Sequence, residues 1–188
     1  MKQTILIINI CKEKLHYFEF VKPIEDILKN SNQKTKNIKF FTKHYTKLNS
    51  LDVDKADRII ICGTSLKDND FAKDENIAKF NWIKKNEKPI LGICGGMQII
   101  SLFNGGEIAK TQEIGFFIEE FNKEFLSIGE KHEVYHLHNN YVTLPKNFIS
   151  YTKSKIPQAI KHETGEIYGV LFHPEVRNKE LILYFVKQ

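Results

Sequence analysis

The sequence predicts one α/β domain over residues 1–188: a single doubly wound, mostly parallel sheet flanked by helices, with antiparallel additions in the C-terminal half. Three observations predict it. Apolar runs of strand length alternate with helically spaced apolar residues through the first half of the chain. The second half breaks into short strand-like segments separated by turn residues. A length of 188 residues, 41% hydrophobic and 27% charged, suits one domain with a sizeable core.

Thr4-Ile5-Leu6-Ile7-Ile8-Asn9-Ile10 is almost continuously apolar, which marks a strand covered on both faces. A helix follows near 16–30, where Phe20, Ile24, Ile27 and Leu28 recur at helical spacing. Strands are expected near 37–41, at 58–62 and at 89–93, with helices near 76–86 and 97–103, and Gly105-Gly106 closes the last of these. Beyond them, segments near 114–121, 132–137, 149–153, 157–161 and 166–172 read as strands. Asn122-Lys123, Leu144-Pro145-Lys146 and Glu163-Thr164-Gly165-Glu166 supply turns, and a closing helix runs roughly from 178 to 187. Sheets of this kind bind ligands beyond the carboxyl ends of their strands. Cys62-Gly63-Thr64, Cys94-Gly95 and His173 each follow a predicted strand, so they can share one rim.

Composition removes several function classes. No apolar run reaches the length of a membrane span, and the first residues lack the long apolar segment and cleavage site of a secretory signal. Cys11, Cys62 and Cys94 have no paired spacing, which points to a reducing cytoplasm and not to a disulfide framework. The net charge of +5 rests on scattered lysines, with Arg58 and Arg177 the only arginines, so a solvated surface is expected and nucleic acid is not the partner.

The chemistry concentrates in two motifs. Gly92-Ile93-Cys94-Gly95-Gly96-Met97-Gln98 places a cysteine on a tight glycine turn between a strand and a helix. The glycines permit a strained backbone and let a substrate approach, and the helix N-terminus favours negative charge on the sulfur. Cys11 and Cys62 lack such a setting and read as packing residues. Far downstream, Gly169-Val170-Leu171-Phe172-His173-Pro174-Glu175 delivers a base and a carboxylate at a strand end. Pro174 biases His173 towards extended backbone, which would point His173 and Glu175 the same way. Nucleophile, base and orienting carboxylate are then Cys94, His173 and Glu175. The Gly95 amide is the first donor available to an oxyanion.

With these two motifs the chain resembles the class I (triad) glutamine amidotransferases, whose nucleophile turn reads Gly-x-Cys-x-Gly-x-Gln and whose base lies in His-Pro-Glu. Smaller echoes follow in Arg58–Gly63, in Glu113-Ile114-Gly115, where that family has a turn, and in His138-Asn139-Asn140-Tyr141-Val142. The resemblance implies that Gln98, one helical turn after Cys94, contacts substrate, and that His138, Asn139 and Asn140 hold the α-amino and carboxylate ends of glutamine. It also implies a second oxyanion donor from the Gly63–Thr64 loop. There the sequence reads Gly63-Thr64-Ser65 where a Gly-Gly-Pro-like turn is usual. A threonine resists positive φ, so this loop is expected either to be set differently or to remodel on partner binding.

His132, His136 and His138 share one strand face, a pattern that suggests a metal, with Glu130 or Glu133 as possible further ligands. The expectation is nevertheless no metal and no organic cofactor, since a chain of this size needs none and the resemblance gives His138 to substrate. What the resemblance implies is hydrolysis of L-glutamine, with ammonia passed to a separate ATP-dependent synthetase, because no phosphate-loop pattern occurs here. Tyr168–Val176 and Val134–Val142 are most similar to free-standing glutaminase subunits of GMP synthetase. The alternative is a stand-alone hydrolase of γ-glutamyl amides or peptides.

Overall fold

The computed structural model describes residues 2–35 and 37–188. Five parallel strands form the body of a seven-stranded sheet: β1 (Gln3–Asn9), β2 (Ile38–His44), β3 (Arg58–Ile61), β4 (Ile90–Ile93) and β9 (Ile167–Val170). Two short strands, β7 (Phe148–Ser150) and β8 (Ala159–His162), extend it antiparallel, giving the order β2-β1-β3-β4-β9-β8-β7. β3 and β4 read Arg-Ile-Ile-Ile and Ile-Leu-Gly-Ile and are buried along their whole length, as a sheet covered on both faces requires.

Two apolar layers cover the sheet. On one face Ile5, Ile7, Ile60, Leu91 and Val170 meet α1 (His16–Phe20), α2 (Lys22–Thr35) and α6 (Lys179–Phe185). On the other, Leu6, Ile8, Ile59, Ile61 and Ile90 meet α5 (Gly95–Phe103) and the aromatic residues Phe71 and Phe80. The helix expected over 16–30 is two helices. Pro23 has no N–H to continue the ladder, and the chain restarts at Lys22. The segment expected as a helix over 76–86 is one α-turn, α4 (Asp74–Ile77), followed by 3₁₀ helix over Ala78–Lys85. Phe80, Asn81, Trp82 and Ile83 are middling helix formers, and burial of Phe80 and Ile83 fixes the segment instead. A further helix, α3 (Ser50–Lys55), adds to those expected. Its signal is a capping box: the Asp52 amide donates to Asn49 Oδ1 at 3.0 Å, and the Asn49 amide to Asp52 Oδ2 at 3.3 Å.

The segments near 114–121 and 132–137 are not additions to the main sheet. They lengthen into β5 (Ile108–Glu120) and β6 (Lys131–Val142), a separate two-stranded antiparallel ribbon. Glu113-Ile114-Gly115 is not a turn but lies inside β5, just after a register shift between Lys110 and Glu113, with Gly115 at φ +114°. The ribbon lies over the rim where β3, β4 and β9 end, and the His173 amide donates to the Tyr135 carbonyl at 2.8 Å. Among the described residues no helix is long and apolar enough to cross a membrane.

Candidate active site

The backbone strain expected of the glycine turn falls on the cysteine itself. Cys94 stands between β4 and α5 at φ 48°, ψ −104°, a conformation that non-glycine residues rarely adopt. Its amide donates to the Val170 carbonyl at 2.7 Å, and its carbonyl accepts from the Gln98 amide at 3.0 Å, so strand and helix grip the residue from both sides. The neighbouring glycines serve close packing. A Cβ on Gly96 would lie 2.2 Å from the Ile61 carbonyl oxygen, and one on Gly92 would lie 2.6 Å from the Gly96 carbonyl oxygen. Only bare backbone lets α5 start this close to β3 and β4.

His173 is buried, with its Nδ1 2.7 Å from Glu175 Oε1. The geometry is not the extended pair that the sequence suggested. The Val176 amide donates to the His173 carbonyl at 3.1 Å, closing a β-turn with Pro174 at its second position, and the turn swings Glu175 back beneath the ring. Phe20 packs against the imidazole at 5.3 Å between ring centroids. Burial pulls the His173 pKa down, but the Glu175 charge, the Cys94 sulfur and the hydrogen bonds to both outweigh it. The value is held well above that of an ordinary imidazole. Nε2 is the nitrogen left over once Nδ1 faces Glu175.

Gly63 completes the contact between the two motifs. A Cβ there would be 2.6 Å from His173 Cε1 and 3.3 Å from Cys94 Cβ. Neither Gly63 nor Thr64 adopts positive φ, so the threonine is accommodated without strain. The loop is organised by Asp68, a residue that no sequence motif marks. Its Oδ2 accepts from Thr64 Oγ1 and from the Lys12 amide, both at 2.7 Å.

Gln98, His138 and Asn139 line the hollow beside Cys94 together with Thr64, Ser65 and Leu66. Gln98 Nε2 donates to the Asn140 carbonyl at 3.2 Å, and Asn139 Nδ2 to the Leu66 carbonyl at 3.1 Å. The Asn140 side chain turns away from the hollow and donates to Asn69 Oδ1 at 3.2 Å. These contacts hold the ribbon against the Gly63–Asn69 loop. The Cys94 thiol meets the Leu137 carbonyl at 3.8 Å, and the free space left is about 20 Å³, room for a water molecule. A wider hollow of about 490 Å³ lies across the same loop, lined by Lys12, Lys67, Asp70 and Lys73, and includes neither Cys94 nor His173. His138 is buried, and burial first, then the His136 and His173 rings, lower its pKa to about 3. His132 does not join His136 and His138, since its Nδ1 faces the Gly129 carbonyl.

The model of the glutamine amidotransferase class-I family matches residues 17–185. The chain belongs to that family. It is 31% identical over 144 residues to a glutamine-hydrolyzing GMP synthase subunit of Picrophilus torridus, an alignment covering 70% of this chain and 76% of that one. It is 37% identical over 100 residues to the corresponding subunit of Methanococcus aeolicus, covering 49% of this chain and 53% of the relative. A GMP synthase of Spiroplasma kunkelii is 43% identical over 95 residues, which are 19% of its length. The chain thus spans about half or less of several relatives it matches. Among solved structures, a protein from Thermoplasma acidophilum named for a GMP synthase subunit superposes with a TM-score of 0.82 at 21% identity, over 100% of this chain and 94% of that one. A glutamine amidotransferase from Thermotoga maritima gives 0.72 at 22% identity, over 93% and 77%. At these identities the superpositions speak for the fold.

Proposed function

We propose that this amidotransferase chain hydrolyses L-glutamine to glutamate and ammonia at Cys94, His173 and Glu175. The observation that carries the reading is a buried imidazole, 2.7 Å from Glu175, beside a cysteine on a strained strand-to-helix turn. His173 takes the thiol proton, and Cys94 Sγ attacks the side-chain amide carbon of glutamine. The carbonyl electron pair moves onto oxygen, where the Gly95 amide and the Gly63–Thr64 amides receive it; the first amides of α5 have no intrahelical acceptor to compete. The intermediate collapses, the carbon–nitrogen bond breaks, and His173 protonates the leaving nitrogen as ammonia. Water, deprotonated by His173, then attacks the γ-glutamyl thioester, and the Cys94 thiolate departs. Gln98, His138, Asn139 and the Asn140 backbone position the substrate.

Ammonia is handed to a separate ATP-dependent synthetase chain, GMP synthetase by kinship with the GMP synthase relatives, in the cytoplasm, where three free cysteines stay reduced. The Leu137 carbonyl stands 3.8 Å from the thiol, where the substrate amide has to come, so β6 draws Leu137 away from Cys94 as substrate enters. Synthetase docking supplies that movement. Ammonia release from L-glutamine, measured with and without the synthetase and its nucleotide substrates, tests the proposal: weak release alone and at least tenfold more with the partner is expected. Full turnover by the isolated chain, with γ-glutamyl peptides preferred to glutamine, would instead identify a stand-alone hydrolase.

A further inference from the structure

Glu113 and His136 have no part in the hydrolysis proposed above, and the ribbon brings both of them against His138, which does. Glu113 on β5 faces His136 and His138 on β6, and one ligand atom from each lies within 4.8 Å of the others. His136 Nδ1 is 3.1 Å from His138 Nε2, His138 Nε2 is 3.1 Å from Glu113 Oε2, and His136 Nδ1 is 3.9 Å from that same oxygen. Both rings are buried, whereas the Glu113 side chain is 22% exposed and opens a path from solvent.

Protons alone serve this triangle poorly. Glu119 Oε1 lies 3.3 Å from His136 Nε2, outside hydrogen-bond geometry, and on the other side of the ring Nδ1 faces His138 Nε2 at 3.1 Å. A neutral His138 has at most one hydrogen at Nε2 for two neighbours, His136 Nδ1 and the Glu113 carboxylate, each at 3.1 Å. A cation in the centre satisfies all three atoms at once. Bonds of about 2.0–2.2 Å to a tetrahedral zinc ion place its ligand atoms roughly 3.3–3.6 Å apart, and the three observed edges bracket that spacing. The outer contacts fit as well. A carboxylate behind a metal-ligating histidine is the usual orienting partner, and Glu119 Oε1 stands 3.3 Å from His136 Nε2, within reach of that role though not hydrogen-bonded to it. Gln158 Nε2 fixes the Glu113 carboxylate by donating to Oε2 at 2.7 Å.

We propose that Glu113, His136 and His138 form a binding site for a divalent transition-metal ion of the zinc class, completed by a water molecule. The ion ties β5 to β6 beside Leu137, whose carbonyl touches the Cys94 thiol, and so sets how readily the ribbon leaves the active site. Two imidazoles and one carboxylate exclude a hard cation such as Mg²⁺, which takes oxygen ligands.

Zinc titration by calorimetry, together with zinc-edge X-ray absorption, tests the site in Cys94→Ala protein, where the reactive thiol cannot supply a ligand. One ion per chain is expected, in a nitrogen and oxygen shell that includes two imidazoles. His136→Gln and Glu113→Gln should each weaken binding at least a hundredfold, while His132→Gln, on a ring outside the cluster, leaves it unchanged. The absorption spectrum needs only the Cys94→Ala protein, so it decides the matter even where a ligand variant fails to fold. No saturable binding, a sulfur-containing shell, or affinity indifferent to His136→Gln in folded protein would overturn the proposal.

Discussion

Cys94 and His173 were both legible as candidates because the chemistry proposed for them depends on immediate neighbours: glycines around one, proline and glutamate after the other. The way Glu175 reaches His173 was not. An extended backbone and a β-turn both bring residues 173 and 175 together, and only the Val176-to-His173 hydrogen bond distinguishes them. Asp68 carries no sequence signal, because its partners Thr64 and the Lys12 amide are assembled by the fold. For the reaction, His173→Ala should lower turnover by on the order of 10⁴-fold or more. Glu175→Gln should cost roughly two orders of magnitude less, because the orienting carboxylate is the more dispensable member of such a triad. Ammonia release by the two variants in the presence of the synthetase checks the ranking, and equal losses would contradict it. The same pair governs pH dependence. With its pKa raised in the fold, His173 binds a proton more tightly folded than unfolded. Its contribution to stability is fully present below the ordinary value of 6.5 and is lost as pH rises through the folded value. The urea-midpoint difference between wild type and Glu175→Gln should therefore be largest near pH 6 and shrink towards alkaline pH.

At the scale of elements, apolar runs located β1, β3, β4 and β9 because parallel strands buried on both faces carry their signal continuously. The ribbon was harder to read. Among the described residues β5 and β6 form a sheet of their own, and the sequence pattern of strands did not reveal that they leave the main sheet. α5 packs closely on β3 at Gly96. In Gly96→Ala the new methyl group would meet the Ile61 carbonyl oxygen at 2.2 Å, and both sides are backbone. A loss at or beyond the upper end of about 1–3 kcal/mol is expected from urea unfolding. Gly129→Ala, whose nearest neighbour would be at 3.4 Å, should change stability by no more than about 0.5 kcal/mol.

Over the whole molecule, the parallel sheet sets the ends of β3, β4 and β9 side by side, which is how residues from three distant stretches of sequence reach one hollow. Alternation of strands and helices made that rim legible. Its covering was not, because the contact of Leu137 with Cys94 depends on where a separate ribbon comes to rest. The fold also sorts the three cysteines. Burial, above all else, pushes Cys11 up to about 12 and Cys62 well above the ordinary thiol value, so both stay protonated at neutral pH. The proposed chemistry turns on Cys94 as the nucleophile of a glutamine site. The most direct test treats the protein at neutral pH, with its synthetase present, with an electrophilic glutamine analogue and locates the adduct by peptide mass spectrometry. One adduct per chain, on Cys94, suppressed by excess L-glutamine and by His173→Ala, is the expected result. Labelling spread over Cys11 and Cys62, or labelling of Cys94 that glutamine does not suppress, would contradict that role.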